Sequence, residues 1–188
     1  KFSKSFDHIF HLGEYSRVER SFDDIDTVFE YNLNSIYSVM KFVKKNNAKL
    51  IYGGSSTKFG DDGSNAFESP YAFTKKVNSE LVETYCSWFN INYAIAYFYN
   101  VYGENEIATG DYSTVIAKFL RLKFDGAKNL PVTLPGTQKR NFTYIDDITN
   151  GLILIAKDGF GDGYGIGNDE SFSIIDLAQM MNLEIEYM

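Results

Sequence analysis

Three short apolar runs, separated by two stretches of helical spacing, constrain the fold of this chain more than any other feature. Each run is typical of a buried strand: "FDHIFHLG" (6–13), "AKLIYGGSS" (48–56) and "NYAIAYFYNVYG" (92–103). Between them, one helix is predicted over 25–47 and another from Pro70 to about Phe89, with Ser69 as its N-cap. Strands that alternate with helices in this way predict parallel pairing through right-handed crossovers, and hence an α/β layered fold.

The pattern changes after residue 103. Helices are predicted near 113–125 and 146–157, followed by a glycine-flanked strand in "GDGYGIGND" and a capped helix in "SFSIIDLAQMM". We therefore predict a first domain over 1–103 and a smaller lobe over 104–188, some of whose segments return to the first sheet. Because the chain starts at a lysine and stops just after "MMNLEIEYM", we expect an internal piece of a longer protein or a chain with missing ends.

Composition excludes several classes of partner. A net charge of −7 argues against nucleic acid and against an anionic membrane surface, since both attract basic proteins. The sequence contains no apolar run long enough to span a membrane. The single cysteine, Cys86, precludes an internal disulfide and fits a cytoplasmic protein, and we expect it to be a buried packing residue. Two histidines, His8 and His11, without a Cys/His cluster argue against a metal site.

Polar and small residues follow the predicted strands, at the edge where an open parallel sheet binds ligands. The second strand runs into Ser55, and the next helix carries Tyr71 and Lys75 four positions apart, on one helix face. A nearby lysine lowers a tyrosine pKa, and a serine hydroxyl beside the pair would hold the substrate oxygen. Such a set removes a proton from an alcohol or sugar hydroxyl as a hydride leaves its carbon, and it needs a hydride acceptor.

The spacing of Tyr71 and Lys75 is not sufficient evidence by itself. A second Y-x-x-x-K occurs at Tyr37–Lys41, inside the predicted 25–47 helix and without a serine at a strand end before it. We interpret Tyr37–Lys41 as a surface or interface pair. The spacing alone leaves the same interpretation open for Tyr71 and Lys75, as two residues that only share a helix face.

Four motifs in order make the interpretation more specific: "SSTKFG" (55–60), "SPYAFTK" (69–75), "YFYNVYG" (97–103) and "KRNFTYIDD" (139–147). Together with "HIFHLGEYSRVERSF" (8–22) they resemble the extended short-chain dehydrogenase/reductase family, and within it the NAD-dependent nucleotide-sugar epimerase/dehydratase group. The resemblance spans essentially the whole chain. It implies a partial doubly wound, Rossmann-type sheet, with a partial NAD-binding domain over 1–103 and part of a substrate-binding lobe over 104–188. The family's glycine-rich fingerprint is missing from these residues, which implies that N-terminal βαβ units are missing.

The resemblance also assigns site residues. Tyr71 resembles the family's catalytic base and acid, Lys75 the lysine that lowers its pKa and holds the nicotinamide ribose, and Ser55 the hydroxyl that binds the reacting group. Further positions match cofactor-side residues, namely Leu12, Gly13, Asn32 and Gly53, and substrate-side residues, namely Asn100 and Arg140. The residues themselves leave other roles open: a helix-interior polar residue at Asn32, a turn cap at Asn100, and a surface ion pair of Arg140 with Asp146 or Asp147. Glu14 departs from the family, which usually has a small residue there.

The same resemblance narrows the chemistry. The group's dehydratases carry an Asp–Glu pair directly after the catalytic Ser or Thr, where this chain has Ser56 and Thr57. We therefore predict an NAD-dependent epimerase of a nucleotide sugar, with C4 of a UDP-sugar favoured and NADP left open. The 16 positions from Ser55 to Tyr71 are few for a C4 epimerase, so an ADP-heptose 6-epimerase or a net nucleotide-sugar dehydrogenase remains an alternative. A non-catalytic nucleotide-binding member is the rival from another class. A homodimer through helices 25–47 and 70–89 is also implied.

Overall fold

The computed structural model describes residues 5–59, 68–110 and 112–188. Its contacts divide the chain into two compact units: residues up to Phe98 with Thr149–Ile166, and Tyr99–Ile148 with Gly167–Met188. Residues 60–67, which precede the helix that begins at Pro70, lie outside the described residues. Among the helices that the structure describes, none combines the length and apolar character needed to cross a membrane.

A four-stranded parallel sheet forms the centre of the first unit. Its strand order is β1-β2-β3-β8, where β1 is His8–His11, β2 is Lys49–Ser55, β3 is Tyr93–Phe98 and β8 is Gly161–Ile166. Strands β2 and β3 are buried almost throughout, because the continuous apolar runs that predicted them suit a sheet covered on both faces. All three neighbouring pairs are parallel. The predicted α/β fold with a parallel central sheet is confirmed.

The helix predicted over 25–47 is interrupted. It consists of α1 (Ile25–Val28), a wider π-helical segment (Phe29–Asn34) and α2 (Ser35–Asn46). The interruption centres on Asn32, whose side chain bonds to other segments of the protein. π-Helical segments of this kind are rare and concentrate near functional sites.

Helix α3 (Pro70–Phe89) begins and ends where its sequence indicates. The Ser69 hydroxyl accepts a hydrogen bond from the Ala72 amide, and Pro70 occupies the first helical position. Asn90 ends the helix in the left-handed conformation. Apolar side chains of α2, α3, β2 and β3 form one core cluster that includes Cys86, and burial raises the pKa of this thiol to about 12. Cys86 is therefore the packing residue that the sequence predicted.

The third predicted strand is shorter than expected. It ends at Phe98 rather than continuing to residue 103, because Asn100 turns the chain with a φ of 24°. Asparagine tolerates this left-handed region better than most residues. The following residues form a separate short strand, β4 (Val101–Tyr102), which pairs with β7 (Thr143–Tyr144).

The second unit combines three two-stranded sheets with helices. Besides β4–β7 it contains β5 (Asn129–Val132) parallel to β10 (Glu184–Tyr187), and β6 (Lys139–Asn141) antiparallel to β9 (Ser171–Ser173). Its helices are α4 (Val115–Phe124), capped by Thr114, and α6 (Ile174–Met180), capped by Ser173 in a capping box with Asp176. Helix α5 (Ile145–Asp158) precedes β8 along the chain. The sequence predicted none of the strands β5, β6, β7, β9 and β10.

Candidate active site

The register of the central sheet places two predicted site segments side by side. His11, the last residue of β1, pairs with Tyr52 of β2. The residues that follow β1, Leu12 to Glu14, therefore lie next to the end of β2, from Gly53 to Ser55. This is the carboxyl edge of a parallel sheet, where ligands bind in folds of this kind.

The hydroxyl of Tyr71 reaches the end of β2. It donates a hydrogen bond to Oγ of Ser55 over 3.1 Å, and Oγ of Ser55 lies 2.9 Å from Oγ1 of Thr57. Ser55 is buried. The N-cap at Ser69 fixes where α3 begins, and Tyr71 therefore lies in the first turn of that helix. The structure thus brings together the serine and the tyrosine that the sequence assigns to one site.

Lys75 lies one turn further along α3 and is also buried. Its ammonium group donates to the backbone carbonyl of Gly53 and to Oε2 of Glu14, the second contact at 2.5 Å. It also lies 4.6 Å from the centre of the Tyr52 ring. Burial lowers the pKa of Lys75, and the charge and hydrogen bond of Glu14 oppose that fall.

The expected lowering of the Tyr71 pKa by Lys75 is not found. The pKa of Tyr71 is raised, first by burial and also by the negative charge of Glu14, while the bond to Ser55 and the charge of Arg17 oppose the rise. The main physical reason is burial of the phenol, to which the charge of Glu14 adds, and the Lys75 cation is itself paired with that carboxylate. The sequence prediction on this point is wrong because it included neither the burial of Tyr71 nor Glu14.

Glu14 is the site residue that sequence reasoning missed. Its Oε2 accepts from Lys75 and from the Tyr52 hydroxyl at 2.8 Å, and its Oε1 accepts from Nδ2 of Asn78 at 3.0 Å and lies 3.2 Å from Nε2 of His11. Burial would raise the pKa of Glu14, but these hydrogen bonds and the charge of Lys75 hold it below its ordinary value. The sequence contained one signal that could have identified Glu14 as a site residue: it is a glutamate at a position where the family usually has a small residue.

The buried side chain of Asn32 forms hydrogen bonds to the segment after β1 and to α3. Its side-chain oxygen accepts from the Tyr15 amide at 2.8 Å, and its Nδ2 donates to Oγ1 of Thr74 at 2.9 Å. Its backbone carbonyl accepts from Asn78, and the residue is fully buried. Asn32 therefore links the segment after β1 to α3, and a direct contact with a cofactor stays a prediction.

We expect Asn32→Ala to lower the free energy of unfolding by about 1–3 kcal/mol, because it removes the buried hydrogen bonds from the Tyr15 amide to Asn32 and from Asn32 to Thr74. Chemical denaturation of the intact protein measures the change. Asn34→Ala is the matched control, since Asn34 is exposed two positions along the same segment, and we expect a change within about 0.5 kcal/mol. Equal losses in the two variants would contradict the role given to Asn32.

The remaining cofactor-side positions differ in exposure. Leu12 is 48% exposed, and a Cβ added to Gly13 would meet no other atom within 4 Å, so this turn is open to close approach. Gly53 is buried, and a Cβ there would come within 3.1 Å of the Leu12 side chain and 3.2 Å of the Phe98 ring. Glycine at 53 therefore allows the ends of β1 and β2 to pack closely.

The two substrate-side candidates, Asn100 and Arg140, belong to the second unit. Nδ2 of Asn100 donates to the Asn141 carbonyl at 3.0 Å, in the turn before β4, which matches the turn-cap interpretation. Arg140 lies on β6 with its side chain exposed, and its guanidinium donates to the Lys139 carbonyl. Substrate contacts of Asn100 and Arg140 stay predictions.

The second Y-x-x-x-K pair is a surface feature. Tyr37 is 54% exposed, and Nζ of Lys41 lies over its ring at 4.7 Å from the centre. This matches the surface interpretation drawn from the sequence. Equal spacing along a helix therefore has different consequences at the two places, because only Tyr71 and Lys75 follow the end of a buried strand.

A parallel α/β sheet with a Ser–Tyr–Lys set at its carboxyl edge defines the short-chain dehydrogenase/reductase class. The sequence profile of the NAD dependent epimerase/dehydratase family matches residues 1–167, and the chain belongs to this family.

Relatives in this family differ in their reactions. A dTDP-D-glucose 4,6-dehydratase of Dictyostelium discoideum is 27% identical over 206 residues, which cover 97% of this chain and 46% of the relative. A UDP-glucuronate 4-epimerase of Thermodesulfobacterium geofontis is 28% identical over 162 residues, covering 81% of this chain and 49% of the relative. This chain thus spans about half the length of either protein.

A solved structure supports the same fold. The UDP-N-acetylglucosamine 4-epimerase from Methanobrevibacter ruminantium, in complex with UDP-N-acetylmuramic acid, superposes with a TM-score of 0.88 at 22% identity. The match covers 97% of this chain and 63% of that one. At this identity the likeness shows the fold alone.

The described donor groups fit the nicotinamide side of NAD. A lysine ammonium has three N–H donors, and in Lys75 the Gly53 carbonyl and Glu14 accept from two of them. One N–H and the Tyr71 hydroxyl are thus compatible with binding to ribose hydroxyls. The open turn at Gly13 is compatible with a close backbone approach.

Proposed function

We propose that the intact protein is an epimerase that acts on a nucleotide sugar by oxidising one sugar hydroxyl transiently to a ketone, with C4 of a UDP-sugar as the favoured position. The observation that carries this proposal is the hydrogen bond from Tyr71 to Ser55 at the end of β2, with Lys75 one turn away. The family, whose profile matches residues 1–167, contains both epimerases and dehydratases, and the two reactions share this oxidation step.

Each residue of the set has a defined task in the proposed reaction. Ser55 binds the reacting hydroxyl, and Tyr71 as phenolate accepts its proton during oxidation and returns it during reduction. Lys75, held by Glu14 and Gly53, keeps its ammonium group one helical turn from Tyr71, and the paired carboxylate weakens its effect on the phenol. NAD, when bound, supplies the hydride acceptor for the oxidation and the hydride for the reduction.

In the proposed complex, two groups of residues would hold NAD. Tyr71 and Lys75 would bind the nicotinamide ribose, and the backbone of Leu12, Gly13 and Gly53 would lie along the cofactor. Asn100 and Arg140 would contact the sugar or the diphosphate of the substrate. Arginine suits a diphosphate because its planar guanidinium donates two parallel hydrogen bonds.

The residues after Ser55 favour epimerisation over dehydration. A dehydratase needs an acid and a base to remove water, and this chain has Ser56 and Thr57 in their place. Oγ1 of Thr57 instead makes a hydrogen bond with Oγ of Ser55. A hydroxyl group is too weak an acid for that task near neutral pH, so the identity of 27% with a dehydratase does not carry over its chemistry.

The proposal is tested by assaying the intact protein against UDP-, GDP-, ADP- and CDP-sugars. Thermal shift identifies the nucleotide, because a ligand that binds the native state raises its melting temperature. NMR of the products is then expected to show the C4 epimer, with no accumulation of absorbance in the reduced nicotinamide band. Net reduction of added NAD would indicate the dehydrogenase alternative, and a C6 epimer the heptose alternative. Binding without turnover would support the non-catalytic alternative.

We further propose that the intact protein forms a homodimer through the helical segments 25–47 and 70–89. Large apolar side chains on these segments are exposed, among them Phe42 at 37% and Trp88 at 69%. Burial of such side chains between two copies would stabilise the dimer. Sedimentation velocity of the intact protein tests this directly, and a monomer at micromolar concentration would contradict it.

A further inference from the structure

The carboxylate of Glu14 is unusually well buried for a charged group. Its side chain is only 3% exposed, and it lies at the carboxyl edge of the sheet between β1, β2 and α3. All three elements contribute partners to it, namely His11, Tyr52, Lys75 and Asn78. A buried carboxylate is costly unless it is paired and hydrogen-bonded, and Glu14 is both.

The groups that Glu14 holds lie in the proposed reaction centre. Lys75 contacts Glu14 directly, and the carboxylate also acts on Tyr71 through its charge. The Tyr52 hydroxyl and the Asn78 amide need only an acceptor at this position, which a neutral residue could also supply, so the charge of Glu14 serves the buried Lys75 ammonium. A charge at this position therefore has consequences for ionisation in the site.

We propose that Glu14 is a positioning residue for the reaction: its carboxylate fixes the Lys75 ammonium against the Gly53 carbonyl and keeps that lysine protonated. Through the same charge it makes the Tyr71 proton harder to remove. This inference rests on the proposed function, in which Tyr71 works as phenolate and Lys75 as cation.

Several ionisable groups face Glu14 and Tyr71, and each contributes in a known direction. The charge of Glu14 raises the pKa of Tyr71 and that of Lys75, whereas the positive charge of Arg17 lowers the pKa of Tyr71. Burial raises the pKa of Tyr52 first, and the charge and hydrogen bond of Glu14 add to it. Among the described residues, the ionisable groups that face Glu14 and Tyr71 are Lys75 on α3, Tyr52 on β2, His11 on β1 and Arg17 after β1.

Glu14→Gln therefore has a distinctive expected effect. Loss of the negative charge lowers the pKa of Tyr71 and the pKa of Lys75 together. In a bell-shaped profile of kcat/KM, the two limbs report the coupled ionisation of Tyr71, which must lose its proton, and of Lys75, which must keep its proton. Both limbs are expected to move to lower pH, because the carboxylate that favours the protonated form of both groups has lost its charge.

The pH profile of kcat/KM is measured in the intact protein with the nucleotide sugar that the substrate screen identifies. Glu83→Gln, an exposed glutamate on the same helix as Lys75, is the matched control and is expected to keep both limbs in place. Glu14→Asp keeps a carboxylate but holds it farther from Lys75, so its limbs are expected between those of the wild type and the glutamine variant. If Glu14 had only a structural role, the maximum of kcat/KM would fall in its variants, but both limbs of the pH profile would keep their positions.

A readout without substrate separates this inference from the proposed function. The ionisation of Tyr71 is followed by ultraviolet difference titration, with the Tyr71→Phe form of each protein subtracted. The Tyr71 transition is expected at lower pH in Glu14→Gln than in the wild type, even if no sugar is turned over. If the glutamine variant does not fold, Glu14→Asp against the wild type decides in the same way. An unchanged Tyr71 transition in the folded variant would overturn the inference.

Discussion

Replacing Tyr71 by phenylalanine in the intact protein is expected to lower kcat by about 10²- to 10⁴-fold, the range that a positioned acid–base group contributes. The substitution removes only the hydroxyl that donates to Ser55, and the ring keeps its place at the start of α3. The fold and the binding of the nucleotide sugar are therefore expected to persist. Steady-state kinetics and thermal shift with the same sugar measure the two effects separately.

Tyr37→Phe is the matched control for this experiment. Tyr37 belongs to the other Y-x-x-x-K pair and is exposed, so loss of its hydroxyl is expected to leave kcat unchanged. Turnover by Tyr71→Phe at the wild-type rate would show that the phenol of Tyr71 is not the acid–base group.

Replacing Lys75 by methionine is expected to lower the free energy of unfolding by about 3–5 kcal/mol, as when one partner of a buried ion pair is removed. Glu14 would then remain buried with an uncompensated charge, since Lys75 is its closest cationic partner in the described structure. The Gly53 carbonyl would also lose its donor. Urea denaturation near neutral pH measures the loss.

The double variant Glu14→Gln, Lys75→Met tests whether the loss comes from the pair. If it does, the glutamine relieves the buried charge, and the double variant is expected to be less destabilised than the sum of the single variants. Coupling energies of about 0.5–3 kcal/mol are usual for residues in contact. Additive losses within about 0.5 kcal/mol would contradict the ion pair as the source of stability.

Much of the fold could be predicted because its signals are local. Continuous apolar runs indicate strands buried on both faces, and the serine and proline before α3 indicate where that helix starts. The residues of the proposed reaction could also be predicted from the sequence, since Ser55 ends a strand and Tyr71 lies in the first turn of the next helix. A resemblance in several ordered motifs then separated Tyr71–Lys75 from the surface pair Tyr37–Lys41.

The features that were not predicted depend on contacts distant in sequence. Glu14 meets Lys75 across 61 positions, through the register of β1 on β2 and the packing of α3 on β2. The π-helical interruption depends on Asn32 reaching Thr74, 42 positions away. The end of β3 depends on a left-handed turn at Asn100, which composition alone does not reveal. Consequently the sequence predicted the wrong direction for the Tyr71 pKa, whereas it identified the tyrosine itself.

A deuterium label tests whether one sugar carbon is oxidised transiently. The intact protein is incubated in ordinary water with a UDP-sugar deuterated at C4, and the C4 epimer is analysed by mass spectrometry. We expect the product to retain the deuterium, because the same hydride leaves and returns without exchange with solvent. An epimer that has lost its deuterium to water, or a 4-keto-6-deoxy sugar in its place, would show that the proposed transient oxidation is wrong.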